Sequence, residues 1–136
     1  LRTDGAASSN KLDMIADMRL GALIAKGFSQ NPTDVGAYDV LKMATINGAK
    51  ALHMGDKIGS LEVGKQADVI ALDLSAIATQ PVFDPISHLV YAADRNQVTH
   101  VWVNGEAVVQ ERVLTRLNLV ELLSNAQEWQ QKIMAK

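Results

Sequence analysis

Thr3-Asp4-Gly5-Ala6-Ala7-Ser8-Ser9-Asn10-Lys11-Leu12-Asp13-Met14 is the stretch on which the fold turns. An acidic residue is followed at once by glycine, then by small polar residues, then by an apolar helical pattern. That is the order in which a strand end becomes a loop and then a helix start. In α/β folds, ligands and catalytic groups gather at the carboxyl ends of strands. Taken alone, Asp4-Gly5 is also a common turn. The rest of the chain has to decide between the two.

At 136 residues the chain suits one domain with a real core. Its apolar share of 48% and charged share of 21% are ordinary for a globular protein. A net charge of −2 provides no electrostatic footprint for nucleic acid or an anionic membrane, and neither is an expected partner. Cysteine is absent, which excludes disulfides and thiolate metal sites and fits a reducing cytoplasmic setting. No apolar run is long enough to span a bilayer, and no signal peptide is expected. The chain opens on Leu1, in what reads as the last part of a strand, so an upstream portion is expected to be missing.

Downstream of the opening stretch, Asn10 is a candidate helix cap, with Asp13 three positions on to favour the positive end of the dipole. The run Leu12 to Lys26 is apolar on most sides and predicts a helix covered by neighbours, stopped at Lys26-Gly27. Thr33 is the expected cap of a second helix, whose Ala37, Val40, Leu41 and Ala44 form one stripe. Asn47-Gly48 is expected to break it before a short helical piece that ends at Gly55.

Beyond Gly55 the pattern turns β-rich. Gly59, Gly64 and Lys65 punctuate a turn-rich stretch, and Ala67 to Leu74 reads as a strand. Asp84-Pro85 is an N-cap followed by proline at the first helical position, predicting a short helix to Tyr91. Val98 to Val103, Asn104-Gly105 and Glu106 to Gln110 predict a type I′ hairpin. Strict alternation would put Val101 and Val103 on a face with Val108, and His100 and Trp102 on the other with Ala107 and Val109. Both faces are mainly apolar, so the hairpin is expected inside a sheet stack. Asn118 and Glu121 resemble a capping box for a last helix with Leu119, Leu122, Ala126, Trp129 and Ile133 on one stripe. So few strands cannot hide both faces and edges of a sheet, which points to partner strands upstream or in another copy.

Several stretches together resemble the C-terminal portion of the amidohydrolase superfamily, in its aminohydrolase and chlorohydrolase branch. The nearest likeness is to methylthioadenosine/S-adenosylhomocysteine deaminases. They are Thr-Asp-Gly-Ala-Ala-Ser at 3–8, Leu-Asp-Met at 12–14 and Met-Ala-Thr-Ile-Asn-Gly-Ala-Lys-Ala-Leu at 43–52. Then come Ile-Gly-Ser-Leu-Glu-Val-Gly-Lys-Gln-Ala-Asp-Val at 58–69, Asp-Pro-Ile-Ser-His-Leu-Val-Tyr at 84–91 and Val-Trp-Val-Asn-Gly at 101–105.

The resemblance implies an α/β fold: the C-terminal end of a (β/α)8 TIM barrel, then strands of a small composite β-sandwich and a C-terminal helix. Residues 1–55 would end the barrel, with Leu1 to Gly5 closing its eighth strand. Residues 56–115 would be the sandwich portion, with a short helix near 85–92, and 116–136 the C-terminal helix. It also implies that Asp4 is both a catalytic residue and a ligand of a divalent metal, commonly zinc (Zn2+). In that family such a carboxylate takes a proton from metal-bound water, whose pKa the metal lowers to about 7. It then hands the proton to departing ammonia. The implied substrate is a small nucleoside-like or heterocyclic amine. Arg2 stands where the family usually has glycine, and Lys11 where Asn or Asp is usual. The family's histidine ligands and catalytic glutamate belong to earlier strands. One carboxylate falls short of the roughly three protein ligands of a catalytic zinc, so this chain alone is expected to be inactive. Its expected partners are the substrate, the missing N-terminal portion of the same enzyme and, as an open alternative, further copies in a homo-oligomer.

Other residues carry blander readings. His53, His88 and His100 lack ligand spacing. Ser8 and Ser9 are expected to cap, Asp68 to pair with a turn, and Trp129 to make a core or subunit contact. Gly55, Gly59 and Gly64 do not form a phosphate loop. The alternative class is an autonomous, non-catalytic assembly or binding module in which Asp4 only shapes a turn.

Overall fold

The structure is a computed structural model that describes residues 1–135. Three helices come first: α1 (Met14–Ser29), α2 (Ala37–Ala44) and α3 (Ile46–Ala51). Strand β1 (Val69–Leu72) and helix α4 (Pro85–Tyr91) follow, then β2 (Val98–Val103), β3 (Glu106–Gln110), β4 (Val113–Leu114) and α5 (Leu119–Met134). A 3₁₀ turn over Arg95–Gln97 leads from α4 into β2.

Helix α1 starts later than the sequence suggests. Its cap is Asp13, not Asn10: Asp13 Oδ1 accepts the Ala16 N–H at 3.1 Å, and the residue is 6% exposed. The expected stop at Lys26-Gly27 is also displaced, because α1 runs through Gly27 to Ser29 and ends at a left-handed Gln30. A glycine costs a helix only about 1 kcal/mol. Lys26 instead reaches past the helix end, donating to Asp34 O at 2.8 Å and Val35 O at 2.7 Å. Gly36, rather than Thr33, caps α2, with Asp39 Oδ2 accepting the Gly36 N–H at 3.2 Å. Thr33 is occupied by Asn31 Oδ1. The break between α2 and α3 falls at Thr45, just ahead of Asn47-Gly48, which lies within α3.

The core sits where α1, α2 and α4 meet. Ile15, Met18 and Ala22 of α1 close on Val40 of α2 and Val90 of α4, with Ala37, Leu41 and Ala44 packed alongside. The α2 stripe is therefore as expected. Helix α1 is not covered all round: Leu20, Leu23, Ile24 and Phe28 face outward.

The strands form one antiparallel sheet in the order β1-β2-β3-β4. Asn104 and Gly105 have φ 51° and 81°, the pair of left-handed residues that a type I′ turn needs. Val103 pairs with Glu106 and Trp102 with Ala107, but Val101 pairs with Val109. A bulge between Val101 and Trp102 leaves Val108 as an extra residue on β3, so Val109, not Val108, stands opposite Val101. Helix α5 begins as expected, with Asn118 Oδ1 accepting from Val120 N and Glu121 N. Its stripe is exposed, however, with Trp129 at 64% and Ile133 at 69%, and no residue of α5 is buried among those described. Leu1 to Gly5 forms no strand, because none of the described strands runs beside it to share hydrogen bonds. One sheet, not two, is present among the described residues.

Candidate functional site

Asp4 sits at a left-handed backbone position, φ 62°, which the short polar side chain tolerates. Its Oδ1 accepts the Gly5 N–H at 2.8 Å, and Thr3 Oγ1 donates to its carbonyl at 3.2 Å. The carboxylate is exposed, and Oδ2 has no partner among the described residues. Gly5 O then accepts the N–H groups of both Ser8 and Ser9, turning the chain sharply. The capping role expected of Ser8 and Ser9 is not theirs; Asp13 performs it.

From Asp13 onward the segment is anchored. Asp13 is buried at the head of α1, whose Ile15 and Met18 belong to the core. Arg95 Nη1 donates to Lys11 O at 3.2 Å, so Lys11 enters through its backbone while its side chain stays exposed. Arg19, one turn into α1, donates through Nε to Val90 O at 3.1 Å and through Nη2 to Ala93 O. These carbonyls belong to buried residues at the end of α4, where a cation is favoured by the helix dipole. Sequence reasoning missed both arginines. Arg19 within an apolar run was the available signal, since a cation there has to find acceptors.

The stretch 58–69 is an internal brace. Lys65 Nζ donates to Gly55 O at 2.7 Å and to Ser60 Oγ at 2.6 Å, and lies 3.3 Å from Glu62. The Ser60 hydroxyl, and then Lys65, hold the Glu62 carboxyl below its ordinary pKa. Asp68 pairs with a turn as expected: its Oδ1 accepts the Asn104 N–H at 2.7 Å. A groove of about 500 Å³ runs between Leu1, Leu52, Ile58, Leu61, Val69 and Ile70, and Asp4 does not line it.

The histidines stay apart. His53 is exposed, His88 lies in α4, and His100 stacks on Trp102 with its Nε2 3.3 Å from Glu111. No group of three His, Cys, Asp or Glu residues that could hold a metal occurs among the described residues. A carboxylate is chemically suited to zinc, but Asp4 alone does not fit one; the remaining ligands would have to come from outside this chain.

Residues 1–108 match the amidohydrolase family. With the anchored acidic loop in place, the chain belongs to that family. The particular relatives are narrower. The chain is 48% identical over 136 residues to the 5-methylthioadenosine/S-adenosylhomocysteine deaminase of Teredinibacter turnerae, covering all of this chain and 31% of that protein. It is 42% identical to the protein of the same name from Saccharophagus degradans, covering 30% of it. Among solved structures, it matches an adenosine deaminase from Xanthomonas campestris with bound zinc. The TM-score is 0.93 at 44% identity, over 97% of this chain and 30% of that one. It also matches the atrazine chlorohydrolase of Arthrobacter aurescens TC1 complexed with zinc. There the TM-score is 0.83 at 28% identity, over 91% of this chain and 28% of that one. The chain thus spans just under a third of the length of the curated relatives it matches.

Proposed function

We propose that this chain is the C-terminal part of a metal-dependent hydrolase that deaminates a nucleoside-like or heterocyclic amine of the methylthioadenosine/S-adenosylhomocysteine type. The observation that carries this reading is the match of all 136 residues, at 48% identity, to a deaminase of that name. Residues 1–55 would complete the barrel, 56–115 would supply sandwich strands and the short α4, and 116–136 the closing helix. The exposed Leu23, Phe28 and Trp129 support that reading, since an autonomous module would not leave so much large apolar surface uncovered. For the same reason the non-catalytic module is the weaker alternative, although the bond from Gly5 N to Asp4 is what a turn alone would need. No described helix is long and apolar enough to cross a membrane. With a chain free of cysteine, the reading extends to a cytoplasmic enzyme.

Within this assignment Asp4 is one ligand of a divalent metal, zinc by analogy, and a proton-accepting carboxylate at the mouth of the site. Gly5 N–H fixes one oxygen and leaves the other available. The test is a chimera in which residues 1–136 replace the matching segment of the T. turnerae protein. It is expected to bind zinc and release ammonia from methylthioadenosine. A chimera that carries metal but turns over no amine or chloro-heterocycle overturns the assignment.

A further inference from the structure

Two arginines cross-link the same pair of chain segments in opposite directions. Arg19, on α1, donates to Val90 O and Ala93 O at the end of α4. Arg95, two residues beyond Ala93, donates back to Lys11 O, just before α1. Its platform is stiff: Asp94 Oδ1 accepts the Asn96 N–H at 2.7 Å, and Gln97 Oε1 accepts the Asp94 N–H at 2.7 Å. Asn96 O is held in turn by Arg112 Nε at 3.2 Å. The start of α1 is therefore clasped to the entry of the sheet.

The free stretch left between Asp4 and this clasp is short. Gly5 O closes the turn over Ser8 and Ser9, and Lys11 O is the next fixed point. Leu12 follows at φ 42°, a left-handed position that a bulky side chain adopts only when both flanks are held. Lys11 on one side and buried Asp13 on the other supply that restraint.

We propose that Arg95 is a positioning residue for the active site: by holding the Lys11 carbonyl, it sets the course of the 5–12 loop that leads away from Asp4. The proposal rests on the reading of Asp4 as the metal-site carboxylate. Arg95 touches neither metal nor substrate. Its loss frees the loop that follows Asp4, whereas the Asp4 carboxylate itself makes no contact with Arg95 and keeps its ligand role. A small misplacement of a positioning element is enough to lower turnover efficiency by one to two orders of magnitude.

The test uses the chimera and its Arg95→Met and Arg95→Lys variants. Arg95→Met is expected to raise KM about tenfold with kcat nearly unchanged and zinc content intact. Amide exchange should quicken over residues 6–12 but not within α1. Arg95→Lys, which can still donate to Lys11 O, should recover most of the KM. Unchanged KM and loop exchange in Arg95→Met overturn the proposal. So does a fall in thermal stability with exchange quickened throughout α1, which would mark a purely structural role. A separate Asp4→Asn chimera that keeps zinc and turnover overturns the reading of Asp4. The exchange pattern would then still decide the clasp.

Discussion

Asp68 Oδ1 accepts the backbone N–H of Asn104 at 2.7 Å, so the approach to edge strand β1 is tied to the tip of the β2–β3 hairpin. A second bond, from Gly105 N to Ala67 O at 3.0 Å, runs beside it. The turn residues that reverse the hairpin are thereby also its attachment to the neighbouring strand. Asp68→Ala is expected to destabilise the chimera by about 1 kcal/mol. Asp68→Asn, which keeps an acceptor oxygen, should lose less. Urea unfolding measures the difference, and faster amide exchange at Asn104 locates it. An Asp68→Ala variant with wild-type exchange at Asn104 would show the bond to be idle.

Gly59 and Gly64 have nearly the same backbone, φ 93° and 94°, and unequal surroundings. A Cβ on Gly59 would lie 2.8 Å from Ala49 Cβ and 2.9 Å from Ile46 Cα, whereas one on Gly64 would meet nothing within 4 Å. Gly64→Ala should therefore cost only the left-handed backbone penalty, about 1–2 kcal/mol. Gly59→Ala adds the overpacking of α3 and should cost about 3 kcal/mol or more. Thermal melts of the two variants side by side separate the terms. Equal losses would mean that α3 shifts without resistance.

Asp39 and Lys42 form an ion pair at 2.9 Å on the exposed side of α2. The hydrogen bond from Lys42, and then its charge, hold the Asp39 carboxyl below its ordinary pKa of 3.8; Lys42 is correspondingly raised. A lowered folded-state pKa means that the contribution is complete above the unfolded value. It is lost as pH falls through the folded one. Asp39→Asn should therefore lower the melting temperature slightly at neutral pH, with the gap to wild type closing below about pH 3.8. A gap that widens on acidification would contradict the sign.

Asp4→Asn preserves an oxygen to accept the Gly5 N–H and removes the charge. Replacing a group that merely supports a metal ligand costs 10–100-fold, so if Asp4 is the ligand proposed above, this substitution should lower zinc affinity or turnover by more than about a hundredfold. Circular dichroism should be unchanged. Zinc content by atomic absorption and ammonia release are the two measurements. Loss of helical signal would assign Asp4 to the turn alone.

What was legible beforehand depended on how far each feature reaches along the chain. Asp84-Pro85 opened α4 as expected, since Asp84 Oδ1 accepts the Ile86 N–H two residues away. Asn104-Gly105 specified its turn because both residues tolerate left-handed backbone. Asn10 failed as a cap because a better candidate, Asp13, had its own side chain buried against the body of the fold. The Val108 register failed because a bulge leaves no mark in an alternating apolar run.

By itself, then, the sequence determined the local devices, the α2 stripe and the family motifs, all of which act through a few neighbouring residues and their backbone preferences. The tertiary structure alone decided the cap of α1, the close approach at Gly59 and the paired arginine clasp. Those depend on acceptors and surfaces from distant elements: Val90 O lies 71 residues from Arg19, and Lys11 O lies 84 from Arg95. Such partners meet only after the helices have packed, so no window of sequence contains them.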